Sequence, residues 1–123
     1  MSDNPVLEKS FAFALRIVKL YRYLVDEKHE FVLSKELLSA GTNIGKHIKE
    51  AVSAENRQVF INEFGVARRK ASETEYWLLL LLHGGFLKSD EFDSIESDRL
   101  ELIRIISKIF STSTQNAGTA GSN

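Results

Sequence analysis

The segment FINEFGVARRKASETEYWLLLLLH, residues 60–83, decides the fold. Phe60, Phe64, Ala67, Ala71, Thr74, Leu78 and Leu81 fall at spacings of 4-3-4-3-4-3. That is the period of a helix burying one face. The leucines at 78–82 add a second signal. Five successive positions, about 100° apart, go right round the helix, so that end must be covered on several sides. Gly84-Gly85 supplies the stop, because glycine enters the left-handed region without steric cost. Ser53 is a candidate cap at the other end, with Asn56 three residues later.

Working outward, three more segments carry helical periodicity. Asn4 suits an N-cap and Pro5 the first helical position, opening a helix through about Val25. Its heptad seam is Leu7, Phe11, Ala14, Val18, Tyr21 and Val25. A second stripe, Phe13, Ile17, Leu20 and Leu24, lies beside it. The next segment runs from about Glu30 to Val52, with Leu33, Leu37, Ala40, Ile44, Ile48 and Ala51 on its inner face. Gly41 and Gly45 sit in its interior, where each costs about 1 kcal/mol against alanine. Close approach of a neighbouring backbone is the favoured explanation. The fourth segment begins near Ser89 with Asp90, Glu91 and Asp93 in its first turn, where the helix dipole favours negative charge. Phe92, Ile95, Leu102, Ile106 and Ile109 form its seam, interrupted by Arg99, whose charged head is expected to reach out to solvent. The expected architecture is all-α, an antiparallel up-down-up-down four-helix bundle over residues 1–112. The polar stretch 113–123 is expected to be a disordered tail.

Composition narrows the function. The chain has 123 residues, no cysteine and a net charge of −1. Thiol chemistry, disulfides and cysteine-based zinc sites are excluded, and the dominant basic surface of a strong nucleic-acid binder is absent. The N-terminus lacks a signal-peptide pattern and the longest apolar run falls far short of the roughly 20 residues a membrane span requires. A cytoplasmic protein with no membrane partner is expected.

The motif search finds no catalytic or metal constellation. Di-iron bundles need Glu-x-x-His pairs, whereas this chain offers Asp26-x-x-His29 and a reversed His47-x-x-Glu50. His47 and Glu50, one turn apart, are positioned to pair, and Thr74 is the hydroxyl considered for a hydrolytic triad. The better reading is a helix-packing contact without catalysis, metal or cofactor. Lys46, Lys49, Arg68, Arg69 and Lys70 are candidate nucleic-acid contacts, although interspersed Glu63, Glu73 and Glu75 also fit an ordinary solvated face. Apolar surface exceeds what one small bundle can bury. Phe13, Ile17, Leu20, Leu24, Tyr76, Trp77 and Leu80 are therefore the candidate interface of a homo-oligomer.

Two stretches carry a resemblance. Residues 37–51, LLSAGTNIGKHIKEA, and residues 67–78, ARRKASETEYWL, resemble the signature segments of the four-helix-bundle proteins encoded in intervening sequences of bacterial 23S rRNA genes. The likeness extends over about residues 6–112. It implies a four-helix bundle assembling as a ring-like pentamer, with no known enzymatic activity. It also implies a distant relation to the accessory variability protein of diversity-generating retroelements, which binds a reverse transcriptase and nucleic acid. The family's inward polar positions fall on Asn43, His47, Glu50, Lys70 and Glu73, the candidate polar site. Three depart from the usual pattern: Asn43 replaces Ser, His47 replaces Asn and Lys70 replaces Glu. The functional expectation is a non-catalytic oligomeric scaffold or adaptor with a protein or RNA partner. The alternative is a nucleic-acid-binding accessory factor.

Overall fold

A computed structural model describes residues 4–121, with side chains through residue 116. It contains four helices: α1 (Pro5–Asp26), α2 (Leu33–Val52), α3 (Arg57–His83) and α4 (Ser89–Gly121). Each packs on its two neighbours in the cyclic order α1-α2-α3-α4, leaving α1 diagonal to α3. Cross-contacts give the directions. Ser10 meets Gly45 while Ile17 meets Gly41. Lys9 pairs with Glu101 while Arg16 pairs with Asp98. Phe110 covers Gly65 while Arg99 reaches Ala71. In each case residue number rises on one helix and falls on the other, so these neighbours run antiparallel.

The helix ends follow local chemistry. Asn4 accepts from the Leu7 N–H at 3.2 Å, with Pro5 next to it. The cap of α3 is Asn56, accepting from Val59 N–H at 2.9 Å; Ser53, the expected cap, instead ends α2. Helix α2 has no side-chain cap at Val32. Buried Glu30 reaches over its first turn and accepts from the N–H groups of Val32, Leu33 and Ser34 at 3.3, 3.0 and 2.7 Å. These groups have no partner within the helix, so a carboxylate there serves hydrogen bonding and helix dipole together. Gly84 caps α3 and Gly85 takes φ +88°, while Phe86 N–H returns to the Leu81 carbonyl at 2.9 Å. The expected glycine stop is where the chain turns.

The core corrects the reading of α1. Val6, Ser10, Phe13, Ile17 and Leu24 are its buried residues, and Leu20 packs against the core. Phe13, Ile17, Leu20 and Leu24 were expected at an oligomer interface; they are the inner face of the single chain. Of the expected seam, Phe11 is 52% exposed and Val18 is on the surface, while Leu7 packs against the core and Ala14, Tyr21 and Val25 are half-buried. The glycines of α2 set this rotation. A Cβ on Gly41 would lie 2.7 Å from Ile17 Cγ1, and one on Gly45 would lie 3.3 Å from the Ser10 carbonyl. Docking α1 so closely turns its 10–17 edge toward α2 and leaves Phe11 and Val18 outside.

Helix α4 also runs past the expected boundary at residue 112, to Gly121. Nothing in 113–117 breaks a helix, and Thr114 Oγ1 donates to the Phe110 carbonyl at 2.8 Å. Residues 122–123 of the expected tail lie outside the described residues.

Candidate functional site

Helix geometry sets the polar motif residues on two stripes, one on α2 and one on α3. Asn43, His47 and Glu50 recur at spacings of four and three on α2, so they share one stripe. On α3 the matching stripe is Glu63, Val66, Lys70, Glu73 and Trp77, at spacings of 3-4-3-4. One contact ties the two stripes together: His47 Nδ1 lies 2.7 Å from Glu63 Oε2, both side chains about three-quarters buried. His47 thus pairs across helices with Glu63, whereas Glu50, the expected partner, is exposed. Asn43 donates to Ser39 Oγ at 3.3 Å, and Lys70 pairs with Glu73 at 3.2 Å. Sequence reading did not place Glu63 in the site. The 3-4 spacing that joins it to Lys70 and Glu73 is the signal that finds it.

Trp77 closes this stripe. It is partly buried against the core, and its indole N–H is buried without an acceptor. Thr74, the hydroxyl considered for a triad, is fully buried and donates to the Lys70 carbonyl at 2.7 Å. A hydroxyl held that way faces no histidine. Among the described residues no three His, Asp or Glu side chains converge as a metal site. No described helix is long and apolar enough to cross a membrane.

The strongest electrostatic feature lies on the other side of α3. Arg99 is buried, 3% exposed, instead of extending to solvent. Its Nε and Nη2 donate to both oxygens of Glu96 at 2.7 Å. Nη2 also donates to Glu75 at 2.9 Å, and Nη1 to the Ala71 carbonyl at 3.2 Å. The hydrogen bonds to Glu96, opposed by burial, raise the Arg99 pKa further, so its charge is permanent. The hydrogen bond shared with Glu96 pushes the Glu75 carboxyl above the usual carboxylate range, and burial adds to this. Burial also pushes Glu96 up, but hydrogen bonds from Arg99 and Glu75 and the guanidinium charge outweigh it and hold Glu96 low. This cluster fastens α4 to α3.

The candidate nucleic-acid contacts do not converge. Arg68, Arg69 and Lys70 are consecutive and point about 100° apart. Arg68 stacks 4.3 Å above the Phe110 ring on the α4 side, Arg69 is exposed, and Lys70 pairs with Glu73 on its own helix. Lys46 and Lys49 line a different groove, between α1 and α2. That groove, about 500 Å³, is walled by Leu7, Phe11 and Ala14.

Of the expected interface residues on α3, Tyr76 and Leu80 are exposed and Trp77 is partly covered. Leu79 joins the exposed pair. Apolar surface is thus exposed at the α1–α2 groove and at the α3 ridge of Tyr76, Leu79 and Leu80, besides Phe31 and Val32 just ahead of α2.

The sequence model described as "23S rRNA-intervening sequence protein" matches residues 2–108. A crystal structure of a protein with unknown function from the S23 ribosomal protein family of Bacteroides thetaiotaomicron VPI-5482 is similar at 44% identity, with a TM-score of 0.87. The match covers 90% of this chain and 99% of that one. No curated protein matches the sequence.

Proposed function

The chain belongs to the 23S rRNA-intervening sequence protein family, and from that premise we propose that it is a non-catalytic cytoplasmic scaffold working as a homo-oligomer. The outer stripe of α1 carries this reading. Phe11 and Leu15, 52% and 48% exposed, stand in solvent beside Val18, on a helix whose inner face is already filled. Such a row on a folded chain marks an interaction surface. Tyr76, Leu79 and Leu80 add a second exposed set on α3. The five basic candidates, spread over separate faces, give the nucleic-acid alternative less support.

The test is the solution mass. Light scattering at micromolar concentration should give a multiple of the 13.9 kDa chain, with the pentamer implied by the sequence resemblance as the expected state. Phe11→Asp should give a folded chain of lower mass. A monomeric natural sequence would overturn the oligomer. Retardation of RNA at low salt that weakens steeply as salt rises would favour the accessory-factor reading instead.

A further inference from the structure

We propose that the α1–α2 groove of one copy receives the α3 ridge of another, so that copies join head to tail; this rests on the oligomer reading and assigns its two surfaces. Four observations support the pairing. First, the surfaces are distinct: the apolar wall of the groove is on α1 and the ridge is on α3, which sit on the diagonal of the bundle. A symmetric contact of either surface with itself leaves the other uncovered. A contact between the two covers both with a single kind of interface.

Second, the shapes are complementary. The groove, about 500 Å³, is lined by small residues, Ala14 and Gly45, together with the larger Leu7 and Phe11. The ridge offers Tyr76, 57% exposed, with Leu79 and Leu80 beside it. Residues 76 and 80 are one turn apart, as a helix laid along a groove requires.

Third, the rims carry opposite charge. Lys46 and Lys49 line the groove and form no ion pair among the described residues. Glu73 and Glu75 flank the ridge, and their side chains remain 41% and 42% exposed after pairing with Lys70 and Arg99. A helix with acidic flanks is matched to a groove with basic ones.

Fourth, the second copy is the occupant for which both halves are on one chain. A head-to-tail contact either closes into a ring or propagates as a filament.

The absence of cysteine makes the contact directly readable. Phe11→Cys and Leu80→Cys are prepared singly, together in one chain, and as a co-expressed mixture of the two single variants. Each is treated with a short thiol-reactive bis-maleimide, and light scattering is run in parallel on the natural sequence. Circular dichroism checks the fold, and Ala14→Cys replaces Phe11→Cys if that variant is unfolded. The expected result is a two-chain product from the mixture, a ladder from the double variant, and little product from either single variant alone. Cross-linking of a single variant as efficient as the mixture would establish a symmetric contact and overturn the proposal. So would no product from the mixture while the natural sequence remains oligomeric. A monomeric natural sequence removes the oligomer reading as well.

Discussion

Where α1 meets α2, the contact is made by removing side chains: Gly41 lets the Ile17 side chain sit where a Cβ would be 2.7 Å away, and Gly45 admits the Ser10 backbone. Where α3 meets α4, a guanidinium is buried, with Glu96, Glu75 and the Ala71 carbonyl as its partners. The first contact desolvates little polar surface but depends on shape. Ile17 is fully buried and β-branched, so it has little freedom to move aside. The second desolvates a full charge and is favourable only while each partner is in place. The two also differ in what they leave outside. Close docking at the glycines turns an apolar stripe of α1 to solvent, whereas the Arg99 cluster ties α4 across α3.

The largest effect should come from breaking the charged side. Arg99→Ala leaves Glu96, 13% exposed, without its cation and opens a gap at a buried position, and should cost about 3 kcal/mol in urea denaturation, the low end for a broken buried pair. A loss under about 1 kcal/mol would show that water replaces the guanidinium.

The shape-dependent side comes next. Gly41→Ala gains about 1 kcal/mol of helix propensity but overpacks Ile17, an error worth about 1–3 kcal/mol, so a net loss is expected. Gly45→Ala meets the Ser10 carbonyl at 3.3 Å, a smaller intrusion. It should lie closer to the natural sequence than Gly41→Ala in thermal melts. Equal behaviour of the two would remove Ile17 as the reason for the glycine.

Acid sharpens the comparison further, because the α1–α2 side holds one buried charge, Glu30. Burial raises its pKa, but hydrogen bonds from the backbone of Ser34, Leu33 and Val32 prevail and leave it below the ordinary value. A depressed carboxylate contributes stability above its unfolded pKa, about 4.3. That contribution is lost as pH falls through the lower folded value. Glu30→Gln should therefore lower stability at pH 7 by about 1 kcal/mol, the usual scale of a helix cap. The gap from the natural sequence should close below about pH 4. A gap unchanged by pH would assign Glu30 a packing role alone.

The smallest effect is expected at Trp77. Trp77→Phe removes an indole N–H that is buried without an acceptor. Loss of volume and relief of that donor oppose each other. A change within about 1 kcal/mol is expected by thermal unfolding of the dilute chain.

Much of this was legible beforehand. Asn4 and Pro5 announced the first helix, Gly84-Gly85 the end of the third, and the 4-3 spacing of 60–81 its buried face. Gly41 and Gly45 signalled a close approach that Ile17 and Ser10 now account for. Of the polar candidates, His47 makes a contact across helices, with Glu63, while Asn43 and Lys70 bond residues of their own helices. The partner of His47 was missed because Glu63 is sixteen residues away, and only α2 lying antiparallel to α3 brings them level. Arg99 was read as reaching toward solvent because an arginine in an apolar seam carries no sign of its partners.

By itself, the sequence determined four helices, where three of their ends fall and which residues share a stripe, because caps, glycines and periodicity act within a single helix. The tertiary structure decided which of α1's two apolar stripes turns inward. Both stripes recur at helical spacing, and the period of a helix specifies residues on a common face without specifying what that face meets. The choice belongs to the glycines of α2, whose missing side chains admit the Ser10–Ile17 edge and leave Phe11 and Val18 facing out.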